Sequence, residues 1–351
     1  MSQSNNEMPA LIAALLVTAA ILGGAFWFLK DRISLSGGGV AVETSGSTAG
    51  SQSDIAVEGG SQLASIEDVP SGRFLYGGST TWAPIRGVLT PGIESALPTF
   101  DLRYTESGSE AAGSGSGIRM LLAGELDFAQ SSRPLTAAET QAATQQGLTL
   151  EAIPVVLEAV AIATHPDLSI PGLTLNQLKD IYTGTLSNWR QVGGPNLPIV
   201  PVSRGTQGGT VQFFQERVLE NQPFLPALEV FNSTTEALRF VGQTQGAIYF
   251  ASAPEVVGQC SVAPLPVGTS PRELVAPYQS PYVPPEDCPT RRNQIDLGVF
   301  QRQDYPLTRP LYVVVRRDGG VAEKAGLAYA EAFKTDEGKR LVNQAGFVAV
   351  N

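Results

Sequence analysis

Three times in this chain a β-like apolar run stops at a cluster of Gly, Ser and Thr, and a helical pattern starts directly after it. The stretches are "YGGSTTWAP" (76–84), "ESGSEAAGSGSGIRM" (106–120) and "SRGTQGGTVQFF" (203–214). Glycine lets a backbone approach closely, hydroxyls donate, and a helix start carries the positive end of the helix dipole. A fourth stretch, "DFAQSSRPLTAAE" (127–139), ends a β-like run in Ser131, Ser132 and Arg133. Taken alone, each junction reads as an ordinary N-cap or turn. Converging on one point, they would surround a tetrahedral oxyanion with N–H and O–H donors and one or two guanidinium forks. None matches a GxxxxGK[ST] or GxGxxG nucleotide fingerprint.

The same alternation runs through the body. "RFLYGG" (73–78) reads as a strand, and "TTWAPIRGVLTPGIESAL" as a helix broken at Pro91. Further strands are expected at "FDLRYTES" (100–107), Leu126–Gln130, "IPVVLEAVAIATH" (153–165), "LPIVPVSR", "GAIYFAS" and "PLYVVVR". "LTLNQLKDIYTGTL" reads as a capped helix, and "GLAYAEAFKTDEGKRLVNQAG" closes the chain as a helical region. Strands alternating with helices imply an α/β fold. About 280 residues of it exceed what one core usually carries, so two lobes are expected. Ligands then sit in the cleft at the carboxyl ends of the strands.

Composition removes several function classes. The formal net charge of −10 argues against nucleic acid as a partner. It leaves a small anion open, because local N–H dipoles and one or two arginines can dominate a cleft. No Cys/His cluster suggests a metal, no cofactor motif is present, and the one histidine, His165, precedes a proline and reads as a surface residue in a turn. A hydrolase using it would lack an obvious partner, so no enzyme is expected. The two cysteines, Cys260 and Cys288, lie outside any CxxC pattern. In an oxidising compartment they could pair, adding about 3–4 kcal/mol by loop entropy; otherwise they are two thiols.

Residues 8–29, "MPALIAALLVTAAILGGAFWFL", carry no charge and as a helix would reach about 33 Å, enough to span a bilayer core. Trp27 and Phe28 stand where an aromatic belt belongs, no basic n-region precedes the run, and no Cys follows it. The expectation is an uncleaved transmembrane anchor within 1–30. Lys30 and Arg32 after the span would by themselves place the C-terminal side in the cytoplasm, so orientation rests on function. Residues 31–71 are rich in Gly and Ser and are expected to form a flexible tether before a folded body at 72–351.

The order of segments resembles the phosphate-binding proteins of ABC phosphate transporters, a family of two-lobed periplasmic binding proteins. "GGSTTWAP" is similar to the family's first ligand loop, and "GSGSGIRMLLAGELDFAQSSRPLT" to its second loop, helix and strand. "LTLNQLKDIYTGTLSNWRQVGGPNLPIVPVSRGTQGGT" resembles its helix, Asn-Trp turn and Arg-containing third loop, and the similarity covers about residues 73–351. The resemblance implies ligand contacts from the Thr80 hydroxyl, the Thr81 N–H, Ser114, the Arg204 fork, Gly209 and Thr210, with Ser132 and Arg133 at the second loop's end. It implies a first lobe at about 72–156 plus 305–351 and a second at about 157–304, closing on the ligand by a hinge motion. It also implies an extracytoplasmic protein, here held by the expected anchor, that delivers phosphate or a related oxyanion to ABC permease subunits. The alternative is a membrane-tethered sensor or interaction protein that no longer feeds a transporter.

Three positions depart from that pattern. The best-studied members of the family place an Asp where Ser132 stands, a second Asp at Thr206 and a serine at Gly208, whereas other members resemble this chain in having Ser-Arg at 132–133. For Arg133 two readings stand: a site residue, or a salt bridge with Glu139. Without carboxylates the pocket is more positive, and the expectation is a preference for dianions with poor rejection of sulfate.

Overall fold

The computed structural model describes residues 61–108, 110–205 and 208–350. The expected span at 8–29 and most of the expected tether lie outside the described residues. Among the described residues no helix is long and apolar enough to cross a membrane. Residues 61–71, expected in the tether, are packed instead. A 3-10 turn at Gln62–Ser65 buries Leu63 completely, Ile66 and Val69 lean on the same core, and Ser61 Oγ donates to Glu337 Oε2 at 2.5 Å. Three apolar side chains at a spacing of three suffice to hold this short segment down.

Thirteen strands follow in chain order: β1 (Gly72–Gly78), β2 (Phe100–Tyr104), β3 (Phe128–Ser131), β4 (Leu150–Thr164), β5 (Leu173–Thr174), β6 (Val200–Arg204), β7 (Glu229–Phe231), β8 (Ala247–Ser252), β9 (Ala263–Leu265), β10 (Val267–Gly268), β11 (Leu274–Val275), β12 (Thr308–Arg316) and β13 (Val348–Ala349). The main sheet runs β2-β1-β3-β12-β4-β8-β6-β7, with β9 and β13 also on β4. A small sheet holds β11-β10-β5. The pairs β1–β2, β1–β3, β6–β7 and β6–β8 are parallel, whereas β12 runs antiparallel to β3 and β4. Short parallel strands need helical crossovers, which the alternating sequence supplies.

Two cores flank this sheet, and β4 serves both. Val155 and Val156 belong to one, with Phe74, Trp82, Phe100, Phe128, Tyr329 and Phe333. Ala159–Ala163 belong to the other, with Tyr182, Trp189, Phe214 and Phe250. In that second core the Phe214 and Phe250 rings stack with centroids 3.8 Å apart. The chain returns at β12: Tyr305 and Leu307 pack in the second core, Leu311 and Val313 in the first. The fold thus has two lobes joined through β4 and the approach to β12.

The helices that bear on the site are α1 (Ala83–Ala96), α2 (Ser114–Leu122), α3 (Ala137–Gln145), α4 (Leu175–Thr183), α5 (Gly209–Arg217), α6 (Thr234–Gln243) and α7 (Ala253–Val256). α1 runs through Pro91, where a break was expected. The proline deprives the Gly87 carbonyl of its helical donor, but buried Ile85, Leu89 and Ile93 recur every four residues and keep both halves on the core. α4 has the capping box foreseen for it, with Thr174 and Gln177 exchanging hydrogen bonds.

Cys260 and Cys288 form a disulfide with Cα atoms 5.7 Å apart, closing a loop that contains β9, β10 and β11. Replacing both with Ser should lower unfolding free energy by about 3–4 kcal/mol if the closed loop acts through chain entropy. Denaturant unfolding of oxidised protein and of the double variant measures this; identical midpoints would show that the bridge adds no stability.

Candidate functional site

The foreseen junctions do meet. β1 ends at Gly78, Ser79 follows, and Thr80–Trp82 make a 3-10 turn into α1. α2 starts at Ser114 directly after Gly113, and α5 starts at Gly209 directly after Gly208. Between them lies a cavity of about 20 Å³. One water requires roughly 10–15 Å³ on this measure, so the space fits a small ion rather than an organic molecule. Thr80 and Thr81 line it from one lobe; Arg204, Gly209 and Thr210 line it from the other, with Thr234, Tyr249 and Glu255.

Arg204 is the unusual member. Its Nε is buried with no hydrogen-bond partner, and no acid stands within ion-pair distance of it among the described residues. An unpaired buried guanidinium N–H is costly. Here it shares a cavity with the start of α5, whose first N–H groups have no intrahelical acceptor. Both features favour negative charge in the cavity.

Ser114 and Ser132 stand one layer back. Ser132 N–H donates to Ser114 Oγ at 3.0 Å, and Ser79 Oγ–H donates to Ser132 Oγ at 3.0 Å. Both serines are fully buried and absent from the cavity wall. Gly209 packs directly on them: a Cβ there would land on Ser132 Oγ and lie 2.9 Å from Ser114 Oγ. The glycine therefore lets the lobes touch at the site. Gly117 has a similar use, since a Cβ on it would lie 2.5 Å from Gly78 Cα, where α2 rests on β1.

Arg133 is placed elsewhere. Its Nη1 and Nη2 donate to Glu139 at 2.8 and 2.7 Å, its Nε donates to Gln212 Oε1 at 2.6 Å, and it does not line the cavity. The fork is bidentate and largely buried, so Glu139 takes the charge that a ligand would otherwise use. Burial pushes the Glu139 carboxyl up, but hydrogen bonds from Arg133 and the Thr136 N–H, with the Arg133 charge, outweigh it and hold the group below its ordinary range.

Four residues named in the site region, Thr234, Tyr249, Glu255 and Arg309, were not expected from the sequence. Glu255, on α7, brings a carboxylate to a cavity expected to have none. Burial and then the Glu158 charge raise its pKa, opposed by a hydrogen bond with Thr234 and by Arg204. Tyr249 is pushed up to about 12, first by burial, and so keeps its hydroxyl proton. Arg309 on β12 donates to Gly209 C=O at 2.6 Å and to Thr210 Oγ1 at 2.8 Å, and pairs with Glu158 at 2.7 Å. Signals for these existed: β8 also ends at the cleft, in "ASAPE", and an arginine inside an apolar strand is rarely idle.

A sequence profile described as the PBP superfamily domain matches residues 42–337. The chain belongs to the PBP superfamily. PstS of Staphylococcus epidermidis, a phosphate-binding protein, is 33% identical over 150 residues, covering 41% of this chain and 44% of that protein. The chain thus spans less than half the length of that relative in the match. SphX of Synechococcus elongatus is 24% identical over 297 residues, covering 82% and 81%. Among solved structures, a phosphate-bound Clostridium perfringens protein superposes with TM-score 0.62 at 23% identity, covering 80% of this chain and 100% of that one. An ABC-type phosphate transport receptor from Vibrio cholerae gives TM-score 0.58 at 23% identity, with 78% and 99% covered. These likenesses establish the two-lobed binding-protein fold of this PBP superfamily member.

The Arg133–Glu139 pair has a pH consequence. A carboxyl held low in the folded state contributes stability that is present above its unfolded pKa, about 4.3, and lost as pH falls through the folded value. Wild type should therefore lose stability relative to Glu139→Gln as pH drops below about 4.3. Thermal unfolding of both proteins from pH 6 to pH 3 checks it; parallel curves would show that Glu139 titrates as an ordinary carboxyl.

Proposed function

We propose that this chain captures inorganic phosphate, or a tetrahedral oxyanion like it, between its lobes and delivers it to the permease of an ABC importer. One observation carries the reading: Arg204, whose buried Nε has no hydrogen-bond partner, shares an ion-sized cavity with the start of α5. The likeness to PstS and to the phosphate-bound fold supports it. We place lobe 1 at about 72–156 plus 305–351 and lobe 2 at about 157–304, with the binding body outside the cytoplasm and an N-terminal helix within 1–30 as anchor. The role is binding rather than catalysis. His165 stands at the end of β4, where its Nδ1 accepts the Asp167 N–H at 3.2 Å, and it does not line the cavity.

The anion would receive the Arg204 fork, N–H groups from Thr81, Gly209 and Thr210, and hydroxyls from Thr80 and Thr210. Micromolar binding needs about 8 kcal/mol. A few charge-assisted hydrogen bonds at about 1.5–3 kcal/mol each supply that before the cost of closing the cleft. Ser114 and Ser132 brace this wall from behind, and Arg133 stays with Glu139.

Glu255 reverses the selectivity expected from the loops alone. An ionised carboxylate can only accept, so a fully ionised sulfate opposite it meets repulsion, while a phosphate that keeps one proton can donate to it. Selection of a protonated oxyanion follows, rather than of any dianion. Glu158, Arg204, Thr234 and Tyr249 are the groups that face or tune Glu255. Sulfate binding should strengthen as pH falls toward the raised Glu255 pKa, because a protonated Glu255 becomes a donor.

Calorimetric titration of the full chain with phosphate and with sulfate, at pH 7.5 and pH 5, tests this. Phosphate should bind and sulfate should not at the higher pH, and Glu255→Gln should narrow the difference. Equal binding of both anions by wild type would remove Glu255 as a selector. Arg204→Ala should cost on the order of 100-fold in phosphate affinity and Thr80→Ala about 10-fold. Equal losses would place Arg204 outside the site.

A further inference from the structure

Among the described residues Arg309 and Glu158 are the most deeply buried ion pair, with side chains 3% and 0% exposed. They face each other in register across β12 and β4, where the chain passes between the two cores. A pair present only to neutralise itself would take the bidentate fork that satisfies both carboxylate oxygens. This one does not. Arg309 Nε and Nη2 both reach Glu158 Oε2, while Glu158 Oε1 is buried without a partner. The rest of the guanidinium is turned to α5: Nη1–H donates to Gly209 C=O at 2.6 Å, and Nη2–H donates to Thr210 Oγ1 at 2.8 Å. Phe213, on the same helix, places its ring 5.1 Å from the guanidinium carbon.

We propose that Arg309 is a positioning residue for anion capture, fixing the start of α5 and turning the Thr210 hydroxyl proton toward the cavity. A hydroxyl has one proton to give. Once Thr210 Oγ1 accepts from Arg309, that proton must point elsewhere. The other hydroxyl within reach is Thr81 Oγ1, in the opposite lobe at 3.4 Å, well beyond the usual O–H···O distance of about 2.7–2.8 Å. With that contact so long, the proton can turn to an anion lying between Thr81 and Thr210, both of which line the cavity. Glu158 has a second use here: it neutralises Arg309, so that Arg204 remains the unpaired cation in the cavity wall. The strands that join the lobes thus aim one donor of the binding site directly.

This inference rests on the phosphate-binding reading, and one experiment separates the two. Inorganic phosphate is titrated into the full chain and into Arg309→Lys, Thr210→Val, their combination, and the double variant Arg309→Met with Glu158→Met. Lysine keeps the charge beside Glu158 but cannot span to both α5 acceptors, so Arg309→Lys should weaken phosphate roughly 10- to 100-fold. In the Thr210→Val background the same change should add less than about 3-fold, because the residue through which it acts is gone. The paired methionines remove both charges together and leave none uncompensated, which folds more readily than a single loss. That variant should keep its melting temperature and still lose about 10-fold or more in affinity. A folded methionine pair that binds phosphate as wild type does, or losses from Arg309→Lys and Thr210→Val that simply multiply, would overturn the role of Arg309. A wild-type chain that ignores phosphate would instead overturn the functional reading.

Discussion

The antiparallel pairing of β4 with β12 is the constraint on which the rest of the structure depends. It runs from Thr308 opposite Ala159 to Arg316 opposite Leu150, and its strands are the ones that carry the chain from one core to the other. Burying Arg309 and Glu158 near the Thr308 end of this pairing is expensive in desolvation, and such pairs are often no more stable than apolar replacements. Stability alone therefore does not account for them. Their contacts with Gly209 and Thr210 do, because they convert the rigidity of the longest strand pair into a fixed orientation at the start of α5.

Two arginines show how the scaffold separates structure from function. Arg133 and Arg204 each come directly after a serine, Ser132 just past the end of β3 and Ser203 inside β6, and both stand beside a loop of small residues. Arg133 meets Glu139, whose place one turn into α3 is set by a capping box with Thr136. Arg204 has no acid within ion-pair distance among the described residues, although Glu255 lines the same cavity and feels its charge. The strand end, the α5 start and Tyr249 enclose it without satisfying it. A buried donor left open in this way stores a preference for an anion, since the desolvation is already spent before the ligand arrives.

What could be read from the chain followed the range of the interactions concerned. The α/β alternation, the capped α4, and the convergence of Thr80, Thr81, Gly209 and Thr210 were legible, because loop chemistry and helix starts are local properties of a few residues. Pro91 misled because local helix breaking lost to buried Ile85, Leu89 and Ile93. The start of the packed body was set too late, because Leu63 finds its partners far along the chain. Glu255 and Arg309 were missed for the same reason. Each reaches the site from an element distant in sequence, and only the sheet order brings β8 and β12 close to the loops.

Glu255 also resolves an apparent conflict in charge. A net charge of −10 repels an anion at long range. At physiological salt, however, exposed charges are screened beyond about 8 Å, whereas groups inside a closed cavity are screened far less. In the function proposed above the local set therefore decides: Arg204, with its unpaired Nε, and a helix start would attract, and the Glu255 carboxyl, its pKa raised by burial, would discriminate. Had the wall been purely cationic, every oxyanion of the right size would gain from it. A single acceptor inside a donor-rich wall makes the proton on the ligand count, and it does so at a position, behind β8, that the loop sequences do not reveal.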